Sequence, residues 1–316
     1  MKKICVTGAN GFIGNSICKS LSCSGKITRG FVRTLNPSLN LFGIEYVPVG
    51  DIGSNVDWKN HLLNYNSIIH CAGIAHSMGQ KHGSDAYSLV NIEGTRQLAE
   101  QAVKAGIKRI VFLSSIKVNG ESNKKKYSNK IFTHNDIPDP KDYYATSKFE
   151  AENVLWEVSA KTGLEIVVLR LPLVYGEGVK GNLMRLIRLV NLGVPLPLGM
   201  VNNQRSMIGI DNLVDLIIRC IDHPDAAGKT FLVSDGEDLS TSDLINHIAS
   251  SMHRKSRLFP FPIFLLKFLS FIFGKQKDID RLVGSLKVDS SYVQKILNWI
   301  PPVSVAEGIR RMVQIK

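Results

Sequence analysis

Short apolar runs recur along the first half of the chain, at 3–7, 27–33, 45–49, 67–71, 108–113 and 165–170. They read as strands. Between them, segments 12–23, 57–64, 85–105 and 143–161 carry apolar residues at helical spacing. In 85–105 the apolar stripe is Leu89, Ile92, Leu98, Ala102 and Val103, and Gly106 ends the helix. This alternation predicts an α/β fold, a Rossmann-like doubly wound parallel sheet.

The first strand-like run, Ile4-Cys5-Val6, leads into Gly8, Gly11 and Gly14, and then into a helix through Ile17 and Leu21. The first glycine permits a positive φ in the turn. The second lets backbone approach a pyrophosphate, and the third lets the helix pack close on the strand. Anionic phosphates would then meet free N–H groups and the positive end of the helix dipole.

Beyond about residue 172 the elements shorten, with helices near 182–192, 211–222, 241–252 and 303–314. A Leu196-Pro197-Leu198-Gly199 turn and the Pro301-Pro302 break punctuate this half, and there is no internal repeat. Loop 119–142 is long and lysine-rich, the kind of loop that is usually functional or disordered. The most apolar stretch, 258–273, holds Lys267 and two prolines, and falls short of the ~20 residues needed to span a bilayer. It reads as a buried or lid helix of the second half. The competing reading is a helix lying on an anionic lipid surface.

Composition narrows the partners. With 316 residues, 44% hydrophobic, the chain can build one large α/β domain or two smaller ones. The formal net charge is +12, which suits a polyanion, an anionic membrane surface or an anionic small molecule. The basic residues are dispersed apart from Lys124-Lys125-Lys126, so nucleic acid is the weakest of the three. Cys5, Cys18, Cys23, Cys71 and Cys220 show no metal-ligand spacing and read as reduced thiols of a cytoplasmic protein. No metal site is expected. The start MKKICVTG has a basic end, but its apolar part is too short for a signal peptide.

A second constellation carries candidate chemistry. Ser114-Ser115 ends the run at 108–113, and Tyr144 and Lys148 follow, four residues apart and so on one helical face. A tyrosine beside an ammonium ionises at lower pH, which makes Tyr144 a candidate acid/base for a hydroxyl that gains or loses a proton as hydride moves. Ser115 could hydrogen-bond the same oxygen. Tyr143 lies off the face of Lys148.

With these residues in place, the chain resembles the extended short-chain dehydrogenase/reductase family, especially its nucleotide-sugar epimerases and 4-keto reductases. The matching pieces, in order, are TGANGFIG at 7–14, GDI at 50–52, HCAG at 70–73, NIEGT at 91–95, LSSIKVNG at 113–120 and YATSK at 144–148. The second half adds LRLPLVYG at 169–176, GNLM at 181–184, QRS at 204–206 and LNW at 297–299. The resemblance implies a catalytic triad of Ser115, Tyr144 and Lys148. It implies NAD or NADP held by Gly8, Gly11, Phe12, Ile13, Gly14, Asp51, Ile52, Cys71, Ala72, Gly73 and Asn91, with Lys148 on the nicotinamide ribose. Asn182 and Arg205 would bind the diphosphate of a nucleotide sugar, and Arg281, more loosely matched, would be a second clamp.

Two departures matter. NAD-preferring relatives carry an acidic residue at the end of the second strand. Here Arg33 stands near that slot and no carboxylate is close in sequence, so a 2′-phosphate, and NADP, come into view. Sugar dehydratases carry an Asp-Glu pair after the catalytic serine, whereas this chain has Ile116-Lys117, which argues against dehydration. Lys117 itself reads as facing solvent, the alternative being contact with a substrate phosphate or carboxylate.

These features together imply a UDP-hexose or UDP-N-acetylhexosamine 4-epimerase with a transient 4-keto sugar. The alternatives are an NADPH-dependent 4-keto reductase and, in a different class, a non-catalytic dinucleotide-binding sensor. The expected layout is a cofactor domain over 1–175 plus about 205–235, and a substrate domain over 176–204 and 236–316. By resemblance, the amphipathic helices 85–105 and 143–161 would form a homodimer interface.

Overall fold

The computed structural model describes residues 2–36, 39–53, 56–74, 83–121 and 130–314. The lysine cluster 124–126 and much of its loop therefore lie outside the described residues. The first half runs β1 (Ile4–Thr7), α1 (Phe12–Cys23), β2 (Thr28–Val32), β3 (Ile44–Pro48), α2 (Trp58–Leu62) and β4 (Ser67–His70). It continues with α3 (Ser84–Tyr87), a π-helical turn (Ser88–Glu93), α4 (Gly94–Lys104), β5 (Arg109–Ser115), β6 (Ile131–Phe132), α5 (Tyr143–Thr162) and β7 (Glu165–Leu171).

Seven strands form one sheet in the order β10-β7-β5-β4-β1-β2-β3, where β10 is Lys229–Leu232. Every neighbouring pair is parallel. The chain winds outward from β1 through β2 to β3, then returns to the other side of β1 with β4. That reversal opens a crevice at the carboxyl ends of β1 and β4, where ligands bind in such sheets. One face is covered by α1, by α7 (Ile210–Asp222) and by α11 (Ser291–Leu297), through Ile17, Leu21, Leu213, Ile217 and Val293. The other is covered by α2, α4 and α5, through Trp58, Leu62, Leu98, Ala102, Ala151 and Leu155. The expected doubly wound parallel sheet is the observed one.

The segment expected as one helix over 85–105 is interrupted by the π-helical turn. The extra residue in that turn rotates the stripe, so Leu89 is exposed and the polar Asn91 is buried instead. Helix α5 is also less amphipathic than its length suggested, because its buried face carries Lys148 and Glu152.

The second half adds β8 (Leu173–Tyr175), α6 (Asn182–Asn191), β9 (Arg205–Gly209), β11 (Asp238–Leu239), α8 (Thr241–Ser251), α9 (Ile263–Ile272), α10 (Gln276–Val283), β12 (Lys287–Val288) and α12 (Val305–Val313). β10 joins the edge of the main sheet beside β7, but β9 pairs with β8 and β11 in a separate three-stranded sheet. A third core forms here around Tyr175, Ile187, Met207, Ile248 and Ile309. The expectation of a buried helix within 258–273 is corrected: α9 buries only Leu266 and Ser270 and turns most of its aromatic side chains outward. Among the described residues no helix is long and apolar enough to cross a membrane.

Candidate active site

The glycine turn sits at the mouth of the crevice. Gly8 has φ +66°, and a Cβ there would lie 2.9 Å from the Ala72 nitrogen. A Cβ on Gly14 would lie 2.2 Å from the Gly8 carbonyl oxygen, so α1 approaches β1 more closely than any side chain would allow. Gly11 is the N-cap of α1 and supplies no capping side chain. The first N–H groups of α1 therefore have no side-chain acceptor and form a cradle for an anion.

A cleft of about 420 Å³ opens beside this turn. Of the residues singled out in the sequence, Gly8, Gly11, Arg33, Asp51, Ile52, Cys71, Ala72 and Gly73 line it. Phe12 and Ile13 instead pack against the apolar cores, and Gly14 lies within the helix. Asn10, Thr34 and Val90 also line the cleft. Asn10 and Thr34 adjoin residues already chosen and were within reach of the sequence. Val90 was not, because the π-helical turn brings it there.

Asn91 does not line the cleft. Its carboxamide accepts from the Ile74 N–H at 2.8 Å and donates to the Ile74 carbonyl and the Ser147 hydroxyl. It clamps the segment after β4, which carries Ala72 and Gly73. A hydrogen-bonded chain that the sequence reading missed reinforces this clamp. Thr7 Oγ1 lies 2.7 Å from His70 Nδ1, His70 Nε2 lies 3.0 Å from Thr95 Oγ1, and Thr95 donates to the Asn91 carbonyl. Burial, with Lys148 nearby, pushes the His70 pKa down to about 3, so the imidazole is neutral. His70 stands in the HCAG segment and was the available signal.

Arg33 does have a carboxylate beside it, contrary to the sequence expectation. Its Nε lies 2.7 Å from Asp51 Oδ1, and both side chains are exposed. The cause is register: β3 runs parallel to β2, and the Gly50 N–H donates to the Arg33 carbonyl, so Asp51 is carried past the end of β2.

The second constellation assembles at the end of β5. Ser115 is buried there, and its hydroxyl accepts from the Lys117 N–H. Asp142 caps α5 by accepting from the Ala145 N–H at 2.7 Å, which sets the first helical turn and Tyr144 within it. The Ser115 hydroxyl stands beside the Tyr144 phenol and favours its ionisation. Lys148 Nζ donates to the Leu113 carbonyl at 2.9 Å and lies 4.5 Å from the centre of the Phe112 ring. It also stands behind Gly73, which lines the cleft, 3.5 Å from where a Cβ there would be. Tyr143 is exposed and takes no part. Ser114 faces away and donates to the buried carboxylate of Glu152, which holds Arg170 at 2.6 Å.

Burial pushes the Tyr144 phenol up to about 12, against the lowering effect of the neighbouring Ser115. The expected lowering by Lys148 is not found. Burial instead pushes Lys148 down to about 8. The expectation for Lys117 is corrected as well: its ammonium is tied to Glu121 at 3.1 Å and to the Asp142 carboxylate, and does not point freely to solvent.

The second-half residues sit apart from the cofactor cleft. Arg205 Nη1 donates to the Arg281 carbonyl at 2.7 Å and to the Gly284 carbonyl at 3.1 Å. The two arginines are therefore adjacent, and burial together with the Arg281 charge lowers the Arg205 pKa. The strand continues through Leu286 to Val288, which packs with Ile116 beside Ser115. Asn182 opens α6 and is exposed.

A parallel sheet with a glycine cradle at its reversal, and a Ser–Tyr–Lys cluster on the adjoining strand and helix, defines a dinucleotide-dependent enzyme of the epimerase and dehydratase type. The chain belongs to the NAD dependent epimerase/dehydratase family, whose model matches residues 4–234. It is 41% identical to a UDP-glucose 4-epimerase of Vibrio cholerae, over 99% of this chain and 95% of that one. It is 24% identical to an N-acetyl-alpha-D-glucosaminyl-diphospho-ditrans,octacis-undecaprenol 4-epimerase of Escherichia coli O157:H7, over 98% and 94% of the two chains. Among solved structures, the fold is similar to UDP-glucuronic acid 4-epimerase from Bacillus cereus in complex with NAD. The TM-score is 0.78 at 21% identity, over 98% and 97% of the two chains.

Proposed function

We propose that the protein is a 4-epimerase of a sugar diphosphate, UDP-hexose or UDP-N-acetylhexosamine in the first instance, working with NAD. The observation that carries this reading is the Tyr144 phenol beside Ser115, with Lys148 one helical turn along and next to Gly73 of the cleft. The identity to the Vibrio cholerae enzyme supports the same chemistry.

The residues present fit the cofactor. The turn at Gly8 and Gly14 leaves no room for a Cβ, and the uncapped start of α1 suits a pyrophosphate. Gly8, Gly11, Ile52, Ala72 and Gly73 would hold it, and bound there NAD supplies hydride acceptance and return at sugar C4. Tyr144 takes the proton from the 4-hydroxyl and later gives it back. Ser115 donates to the same oxygen and orients it. Lys148 would hold the ribose of the nicotinamide. Arg205 and Arg281 are the proposed diphosphate ligands, with Asn182 at the start of α6. A 2′-phosphate at Arg33 would meet the Asp51 carboxylate, which weakens the case for NADP and for the reductase reading. In this reading residues 1–175 and about 205–235 carry the cofactor, while 176–204 and 236–316 carry the sugar, except that Arg205, on β9 of the separate sheet, stands with the sugar side. The adjoining helices α4 and α5 form the proposed homodimer face.

The test is a panel of UDP-glucose, UDP-N-acetylglucosamine and N-acetylglucosaminyl-diphospho-undecaprenol with added NAD, read by product analysis. Formation of a C4 epimer from one of them is the expected result. No epimer from any, with reduction of a 4-keto sugar by NADPH, would replace this reading.

The pH profile follows from the buried phenol, whose pKa is pushed up to about 12. A base that must be ionised to act makes kcat/KM climb with pH, so kcat/KM is expected to go on rising through the neutral and mildly alkaline range. A kcat/KM that is flat there would show that the phenol is not the base.

A further inference from the structure

Helix α9 has no partner to match its composition. Its sequence is IFLLKFLSFI, yet only Leu266 and Ser270 are buried. Phe264 is 75% exposed, Phe268 58%, Phe271 67% and Phe273 71%. Phe264, Phe268 and Phe271 stand at i, i+4 and i+7 and share one face, with Phe273 exposed just past the helix end, and soluble proteins rarely leave so large an apolar surface in water. The helix is fastened below by α10 and by Leu266 in the third core. Pro260 and Pro262 lead into it, and Pro262 is its N-cap.

The charges along the segment that leads into and through it have one sign, the nearest carboxylates in sequence being Asp278 and Asp280 of α10. From Leu244 to Lys277 there is no Asp or Glu, while Arg254, Lys255, Arg257, Lys267, Lys275 and Lys277 are all basic. Arg254, Lys255 and Arg257 are exposed on the approach, and Lys267 and Lys275 are exposed on and after the helix. Ten residues of helix are about 15 Å long, half the ~30 Å of a bilayer's hydrocarbon core, so the helix can lie in the interface but not cross it.

We propose that α9 docks the protein on an anionic lipid bilayer, with Phe264, Phe268 and Phe271 entering the headgroup–acyl boundary and the flanking cations on the lipid phosphates. An apolar face framed by cations is the signature of an interfacial helix. A second copy of the chain fits less well, because two-fold pairing of α9 would set Lys267 and its neighbouring cations against the same cations. The proposal does not depend on the reaction catalysed.

The test is flotation of the purified full-length protein with phosphatidylcholine vesicles, with or without phosphatidylglycerol, at low salt. Flotation with the anionic vesicles and its loss at high salt are expected. The triple variant Phe264→Ser/Phe268→Ser/Phe271→Ser should keep the wild-type unfolding midpoint, since these side chains leave no cavity, and its bound fraction should drop about tenfold or more. Lys267→Glu/Lys275→Glu should lose the preference for phosphatidylglycerol. The proposal is overturned if wild-type protein stays at the bottom of the gradient, or if the triple variant floats as well as wild type. It is equally overturned if lipid-free sedimentation shows that the triple variant only splits a dimer.

Discussion

Tyr144→Phe is expected to lower kcat by about 10²–10⁴-fold while leaving KM near its wild-type value. The change removes one oxygen, the one beside Ser115. The ring stays half-buried at the start of α5, so the surrounding surfaces are preserved. What is lost is the phenol one helical turn from Lys148 that the proposed reaction uses as its base. Tyr143→Phe is the control, since that ring is exposed and is expected to leave kcat unchanged. Steady-state kinetics on the substrate found in the panel would decide the matter. A Tyr144→Phe enzyme with wild-type kcat would remove Tyr144 from the chemistry and leave the Ser115–Lys148 pair without a base.

Arg170→Met is expected to cost about 3–5 kcal/mol of stability, read from the urea midpoint. Arg170 donates to both oxygens of Glu152 and to Asn119, and all three side chains are buried. Without it the Glu152 carboxylate keeps only the Ser114 hydroxyl and faces a low-dielectric interior. The penalty is that of an uncompensated charge, so the double variant Glu152→Leu/Arg170→Met should be more stable than the single one. A loss below about 1 kcal/mol in Arg170→Met would show that water or local rearrangement reaches the pair.

Much of the fold was legible because the sheet is parallel and buried on both faces. Its strands are plain apolar runs, and the helices between them announce themselves by period. The Ser115, Tyr144 and Lys148 cluster was legible for a local reason: a strand end and a four-residue helical spacing suffice to bring it together. What escaped detection was set by longer-range geometry. The Arg33–Asp51 pair depends on the register of β2 against β3, which the chain does not spell out locally. The π-helical turn adds one residue to a turn without leaving a gap in the apolar pattern, and so Leu89 was placed inside and Asn91 on the cofactor. Lys117 looked solvated because its partner Asp142 is separated from it by a long loop. The aromatic face of α9 has the composition of a buried helix, and only the neighbours that fail to cover it tell the two apart.

The buried face of α5 presents Tyr144, Lys148 and Glu152 at a spacing of four. Lys148 is bound to the Leu113 carbonyl and Glu152 to Ser114, and Tyr144 stands beside Ser115, so all three face the tip of β5. The helix is thus keyed to the strand over about 12 Å of its length. Sliding or rotating α5 against β5 would break both bonds and carry the phenol away from Ser115. The position of the phenol is thereby indexed by a carboxylate two turns away. Substitutions on the outer face of α5 leave that gearing alone. A single inserted or deleted residue between 144 and 152 turns the helix by about 100° and disengages the base, its cation and the buried ion pair in one step.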